Sequence, residues 1–282
     1  MPFSRVYLEI TNCCNLACSF CPGTTRRAAF LTVAQFTHLA GALRGQTRFL
    51  YFHVMGEPLL HPDLPELLDI AGRMGFRVVL TTNGTLLPKR QRELLAAQAL
   101  HKVSVSLHSF EANSGVDMGH YLAGCTDFGL AASEAGILID YRLWNLDGAE
   151  TRGQNEQNDA ILNHLHAAYP GNWTQNTWGW RLCDRTFIHY GEKFDWPSPD
   201  APDHGEAGTC RALRDQLAVL CDGTVVPCCL DGEGRIPLGN LLAQPLDEIL
   251  AAEPARSIAA GFALQKRLHP LCRRCGYAQR FR

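Results

Sequence analysis

Apolar and polar positions follow one another along this chain in a repeating order of strand-like and helix-like patterns. Val6-Tyr7-Leu8-Glu9-Ile10 alternates over a short span, as a strand with one buried face does. Leu31 to Leu43 repeats apolar residues at helical spacing, and Arg48 to Met55 is a nearly continuous apolar and aromatic run. The order continues with a helix over Leu64 to Met74, a strand over Arg77 to Thr82 and a helix over Pro88 to Ala99. Pro62 and Pro88 suit first-turn positions. A fourth strand is predicted over Lys102 to His108, a helix over Tyr121 to Gly136, a fifth strand over Ile137 to Trp144 and a helix over Asn158 to Ala168.

Strands that alternate with helices in this rhythm pair in parallel through right-handed crossovers. Five or six units are visible where a closed β/α barrel needs eight, so the expectation is a partial, open barrel with its site on the loops after the strands. Pro170 to Gly208 has weaker periodicity and a sixth strand around Arg181 to Ile188, and a boundary near Asp200 separates residues 1–200 from 201–282. Beyond it, Gln216 to Cys221 and Thr224 to Cys228 flank Asp222-Gly223, a hairpin signal. Leu246 to Ile258 reads as helical, and Cys272-x2-Cys275 lies near the end. The fold class expected is α/β, a partial (β/α)6 barrel followed by a small α+β domain.

Composition narrows the function. A chain of 282 residues that is 46% hydrophobic can bury a sizeable core. A net charge of -2 supplies no basic field, so nucleic acid is not expected as a partner and a small substrate suits better. The first strand begins within a few residues of Met1, with no signal peptide and no run long enough to span a bilayer, which places the chain in the cytoplasm. Thiols stay reduced there, so twelve cysteines point to metal or catalysis rather than disulfides. Cys125 and Cys183 stand alone and read as small hydrophobes.

Three cysteines, Cys14, Cys18 and Cys21, are spaced C-x3-C-x2-C directly after the first strand. Three thiolates in one loop can hold three corners of a cubane iron-sulfur cluster and leave one iron open. A zinc knuckle, free thiols or half of a disulfide framework are the plainer readings. Further on, Cys210, Cys228, Cys272 and Cys275 form a quartet that closes either a 4Fe-4S cluster or a zinc site. Polar groups gather at strand ends: Gly56-Glu57-Pro58, Thr82-Asn83-Gly84 and Ser106. Each also suits a turn or a cap. Arg142 interrupts an apolar strand and calls for an anionic partner, either a ligand or a structural carboxylate.

The cysteine loop with Asn15-Leu16 and Phe20 resembles the signature loop of radical S-adenosylmethionine (SAM) enzymes, and the ordered motifs after it extend that resemblance. The resemblance implies a cluster on Cys14, Cys18 and Cys21 that chelates SAM. It also implies a SAM pocket drawn from Phe20, Gly56, Glu57, Pro58, Thr82, Asn83, Ser106 and Arg142, with Gly56-Glu57-Pro58 receiving the methionine amino group. The run from Leu220 to Asp231, then Leu238-Gly239-Asn240-Leu241 and Cys272-x2-Cys275, resembles the twitch form of the SPASM extension. That implies one auxiliary 4Fe-4S cluster on Cys210, Cys228, Cys272 and Cys275, with Cys229 the competitor of Cys228. Some members place an aspartate base where Cys229 stands, and Asp231 is a weak substitute.

The activity implied is reductive cleavage of SAM to a 5'-deoxyadenosyl radical and hydrogen abstraction from a small polar metabolite, by dehydrogenation or by lyase chemistry on a sugar or nucleoside-like molecule. An electron donor such as flavodoxin or ferredoxin is implied as a partner. Candidate substrate-facing and catalytic groups are His53, His108, Arg142, Asn145, Asp184, Glu192 and Asp231. The segment from Trp144 to Phe194 is expected to close the barrel mouth. A ribosomal-peptide maturase and a non-enzymatic four-cysteine zinc protein are the competing readings.

Overall fold

The computed structural model describes residues 3–146 and 156–281. Strand β1, Arg5–Leu8, leads into the cysteine loop, and α1, Val33–Ala42, follows it behind a capping box. There Thr32 Oγ1 accepts from Gln35 N at 3.1 Å while the Gln35 side chain reaches back to Thr32 N at 3.0 Å. Then come β2 (Phe49–Tyr51), α2 (Leu64–Arg73), β3 (Arg77–Thr82), α3 (Leu87–Ala96), β4 (Leu100–Ser106), α4 (Met118–Glu134), β5 (Leu138–Leu146) and α5 (Glu156–Ala168). A meander follows, β6 (Thr174–Asn176), β7 (Gly179–Cys183) and β8 (Thr186–Glu192). The C-terminal region holds β9 (Gln216–Val219), β10 (Thr224–Val226), β11 (Gly239–Asn240), α6 (Leu246–Ala251), α7 (Ala255–Ala263) and α8 (Pro270–Arg273).

All eleven strands join one sheet in the order β11-β10-β9-β1-β2-β3-β4-β5-β8-β7-β6. The seven from β9 to β8 are parallel, and antiparallel strands close each edge. The partial barrel expected from the pattern is therefore present, with β8 as its sixth strand. The C-terminal hairpin does not stand apart from it: β9 pairs in parallel with β1, Arg5 opposite Gln216 through Leu8 opposite Val219. Two elements differ from the pattern. The sixth strand is the second arm of a hairpin, because Asp184-Arg185 turns the chain, with Arg185 at φ 61. The helix over Leu246 to Ile258 is two helices, α6 and α7, interrupted at Pro254, which has no N–H to continue the ladder.

Alternation along the strands makes two unlike faces. Val6, Leu8, Leu50, Val78, Leu80, Val103, Val105, Ile139 and Tyr141 are buried in one apolar core with Phe36, Leu39, Leu67, Leu94 and Phe128 of the helices. The intervening residues face the barrel interior and are largely polar. Lys102 and His189 both reach Asp140 there, at 2.7 and 2.6 Å, and the rings of Tyr7 and His53 meet edge to face at 5.3 Å. Among the described residues no helix is long and apolar enough to cross a membrane.

Candidate active site

The cysteine loop is displayed on a zipped stem. Thr11 pairs with Phe30 as an antiparallel bridge, Thr11 Oγ1 donates to Ala29 O at 2.8 Å, and Asn12 donates to Arg27 O at 3.0 Å while accepting from Ala29 N at 2.8 Å. Cys13 belongs to this stem: its Sγ lies 3.9 Å from Ala29 O and 4.0 Å from Asn12 Oδ1. Cys14 and Cys21 are exposed and Cys18 half-buried at the tip. Burial, then the neighbouring Cys21 and Cys14, push the Cys18 thiol up to about 12, so the three sulfurs converge and repel one another as thiolates. Ser19 is tied to Glu111 through its N and Oγ, at 2.8 and 2.6 Å, and Trp196 Nε1 donates to Phe20 O at 2.9 Å.

Gly56 sits at φ 77, and a Cβ there would lie 2.7 Å from Thr11 O and Cys13 O. The glycine thus admits the backbone of the cysteine loop itself, and Glu57 N donates to Cys13 O at 2.7 Å. Pro58 opens the short turn Pro58–Leu60. The buried Glu57 carboxyl accepts from Thr82 Oγ1 and Asn83 N, each at 2.7 Å, and from Leu59 N at 3.0 Å. Burial outweighs these donors and raises its pKa to about 7. Its oxygens are therefore engaged by three donors of the protein, and it binds β2, β3 and the cysteine loop into one frame. Asn83 reaches that loop from β3, donating to Asn15 Oδ1 at 2.9 Å, with its Nδ2 4.0 Å from Cys14 Sγ.

Ser106, the last residue of β4, is the register partner of Arg142 in the middle of β5. The Arg142 guanidinium stacks on Trp144, 3.5 Å from the ring centroid, and its buried Nε has no hydrogen-bond partner. Asp140, the nearest carboxylate on its strand, is already held by Lys102, His189 and Ser104. His53 bonds Thr81 through Nε2 at 3.3 Å and leaves its buried Nδ1 without a partner. Burial first, then Arg142, lowers its pKa to about 3. His108, lowered by burial to about 4, lies under the Phe20 ring at 4.6 Å and bonds Arg142 O at 2.9 Å.

Both histidines fold as neutral rings, with a consequence for pH. Below about 6.5 an unfolded histidine takes a proton that the folded one refuses, so stability rises with pH through this window, by up to about 1.4 kcal/mol per unit for each ring. Glu57, raised to about 7, acts in the opposite sense. His53→Gln is expected to flatten the slope of urea-derived stability between about pH 4 and 6.5 by about one ring's share; an unchanged slope would refute the buried neutral ring.

The other candidates are placed differently. Asp184 lies in the exposed β7–β8 turn beside Arg181, at the barrel end opposite the cysteine loop, and the structure does not bring it to the site. Glu192 is exposed at the site end of β8, where its carbonyl accepts from Arg280. Asp231 is buried, but its oxygens accept from Arg235 N and Ile236 N, both at 2.8 Å, so it shapes its own loop. Asn145 pairs with Asn158 at 2.9 Å. Of the segment expected to close the mouth, residues 147–155 lie outside the described residues. Sequence reasoning missed Glu9, which is fully buried and links Arg26, Met55 N and Cys221 N. A carboxylate inside an apolar strand was the signal for it.

The second set of thiols gathers beside the hairpin. Burial raises Cys228 well above its usual range, with Cys229, Cys210 and Cys275 adding to it, and pushes Cys272 up to about 12, with Cys210 and Cys275 adding. Cys228 packs with Cys210 and Cys272 against the main core, whereas Cys229 packs beside Tyr7, Tyr51 and Val54 on the barrel side. Among the described residues no three His, Cys, Asp or Glu side chains are grouped so as to hold a single metal ion. A cubane, by contrast, spaces its thiolates at its outer corners. Three converging thiols with no fourth, a separate quartet, and unpartnered polar atoms on His53 and Arg142 fit a SAM-binding cluster, an auxiliary cluster and a polar ligand. Replacing Cys272 and Cys275 by alanine is expected to lower iron from about eight to about four per chain by colorimetric assay; unchanged iron would remove the quartet from cluster binding.

Comparison with known proteins agrees with this geometry. The sequence matches the radical SAM superfamily over residues 8–122 and an iron-sulfur cluster-binding domain, SPASM, over 210–276. It is 31% identical over 146 residues to a tungsten-containing aldehyde ferredoxin oxidoreductase cofactor-modifying protein of Pyrococcus furiosus, covering 49% of this chain and 38% of that protein. It is 36% identical over 113 residues to the GTP 3',8-cyclase of Chlorobaculum tepidum, covering 38% and 33%. The matches thus span only about a third of these relatives' lengths. In fold, the chain is similar to BtrN in complex with AdoMet and 2-DOIA, with a TM-score of 0.62 at 19% identity over 97% of this chain and 92% of that one. The cofactors are a SAM-binding 4Fe-4S cluster, SAM and auxiliary iron-sulfur. The chain carries a radical SAM domain over residues 8–122 and a SPASM domain C-terminal to it over residues 210–276.

Proposed function

We propose that this protein is a radical SAM enzyme whose substrate is a small polar metabolite, a sugar or nucleoside-like molecule that undergoes dehydrogenation or lyase chemistry. The observation that carries the reading is the buried Nδ1 of His53 in the barrel interior, which has no hydrogen-bond partner and is left over once Arg142 Nε meets the SAM carboxylate. Burying such a group costs about 1–3 kcal/mol unless something bonds it. A ligand rich in hydroxyl or carbonyl groups does so where an apolar one does not. When bound and reduced, the cluster and SAM supply a 5'-deoxyadenosyl radical that abstracts hydrogen.

The chain's own residues do the rest. Cys14, Cys18 and Cys21 hold the first cluster, and Asn83, Ser106 and Arg142 line the pocket above it. Arg142, a cation with a free N–H, suits the SAM carboxylate, and neutral His53 suits a substrate hydroxyl. Trp144, Phe20 and His108 present apolar surface that keeps water from the reacting atoms. Cys210, Cys228, Cys272 and Cys275 hold the auxiliary cluster as an electron acceptor in a domain that begins near residue 200, and a flavodoxin or ferredoxin supplies the first electron. The nucleotide cyclase relative and the BtrN complex support a metabolite.

The test is transfer of deuterium into 5'-deoxyadenosine from labelled extract fractions, with the reconstituted enzyme, SAM and dithionite. Label is expected from the low-mass metabolite fraction. Label arriving only with peptides would make the protein a peptide maturase. Zinc in the quartet with no SAM cleavage would make it a zinc protein.

A further inference from the structure

Arg267 is an unusual residue for a protein interior. It is only 5% exposed, and among the described residues no carboxylate pairs with its guanidinium. Nη2 donates to Ala207 O, while Nε and Nη1 are buried without any hydrogen-bond partner. A buried cation with two unpartnered nitrogens costs several kcal/mol unless an anion meets it.

The backbone around Arg267 fixes it in place. Residues 206–208 run antiparallel to 265–267: Arg267 N donates to Glu206 O at 2.7 Å, Gly208 N to Gln265 O at 2.8 Å, and Ala207 bridges Lys266. Gly208, at φ 130, lets the guanidinium lie against its backbone; a Cβ there would stand 2.8 Å from Nη2. This sets the guanidinium against Gly208, two residues before Cys210, while Arg267 itself stands five residues before Cys272. Burial raises the Cys210 and Cys272 thiols, and Arg267 is among the groups that pull both back down. Asp231 adds negative charge beside Cys272, so the local field is not uniformly positive.

We propose that Arg267 is the buried counter-cation of the auxiliary cluster, giving charge and hydrogen bonds to its sulfur atoms and stabilising its reduced state. The proposal rests on the reading that Cys210, Cys228, Cys272 and Cys275 hold that cluster. Cluster potentials follow net charge, hydrogen bonds to sulfur and exposure. A fixed cation favours the state with one more electron, the direction an acceptor of a substrate electron requires.

The experiment uses the full chain with Cys14, Cys18 and Cys21 changed to alanine, reconstituted with iron and sulfide so that only the quartet is loaded. Its reduction by dithionite is followed against redox mediators by electron paramagnetic resonance. Arg267→Gln, which keeps a hydrogen-bonding group but no charge, is expected to shift the reduced-to-oxidised ratio at fixed potential at least tenfold toward the oxidised state, about 59 mV for one electron. Arg267→Lys stays closer to the parent. Loss of iron from the glutamine variant with retention in the lysine variant reads the same need for charge. A ratio within twofold of the parent in Arg267→Gln, or loss of iron from both variants alike, overturns the proposal. Absence of iron from the parent itself overturns the cluster reading beneath it.

Discussion

Gly56→Ala is expected to strip the SAM-binding cluster from the protein while the auxiliary cluster remains, taking iron from about eight to about four per chain and abolishing 5'-deoxyadenosine formation. The added methyl has no room. It would stand 2.7 Å from both Thr11 O and Cys13 O and 2.8 Å from the Asn12 carbonyl carbon, all backbone atoms of the stem that carries the cysteines. Side chains can rotate away from a new neighbour, but a zipped stem can only move as a body. The left-handed conformation adds about 1–2 kcal/mol for any residue with a Cβ. Release of the stem also breaks the 2.7 Å bond from Glu57 N to Cys13 O, which couples the cysteine loop to the turn after β2. Gly45→Ala separates the two effects, since Gly45 has φ 79 with nothing within 4 Å of an added methyl and bears only the conformational cost. It should keep its iron and its activity. Full iron and SAM cleavage within twofold of wild type in Gly56→Ala would show that the stem yields.

The barrel interior was legible because strands keep a period of two. On β5 the order Ile139, Asp140, Tyr141, Arg142 puts apolar residues against the helices and polar ones inside, and the isolated Arg142 marks that inner face from sequence alone. The cysteine loop was legible for a similar reason: its chemistry is local in sequence. What periodicity could not supply was the long-range closure. The parallel pairing of β9 with β1 joins residues more than two hundred positions apart, and no local pattern announces a shared sheet edge. Asp231 illustrates the opposite failure. Beside a cluster ligand it suggested chemistry, yet two backbone donors four and five residues on had already taken its oxygens. Asp184 fell with the strand assignment, because a run of mixed residues does not distinguish one strand from a hairpin whose turn faces the far end of the barrel.

Glu9 shows how far such closure reaches, and Glu9→Ala is expected to destabilise the cofactor-free protein by about 3–5 kcal/mol. The carboxylate is fully buried. It takes Arg26 Nη2 at 2.7 Å from 17 residues away, Met55 N at 3.1 Å from 46 away, and Cys221 N at 3.0 Å from 212 away. Arg26 extends the link, donating from Nε to Gly232 O at 2.7 Å. One side chain thus joins the base of the cysteine loop, the turn that precedes Glu57 and the hairpin that carries Cys228. Truncating it leaves the mostly buried Arg26 charge uncompensated and two backbone N–H groups without acceptors, which is why the cost exceeds that of a surface pair. Arg26→Met made in the Glu9→Ala background should recover part of the loss, with a coupling of about 1–3 kcal/mol in a double-mutant cycle from urea melts. Amide hydrogen exchange should rise together in the cysteine stem and in β9–β10, since both hang from the same carboxylate. A cost below about 1 kcal/mol, the range of an exposed ion pair, would mean that the hairpin holds to β1 through its ladder alone and that the two cluster sites are not joined through Glu9.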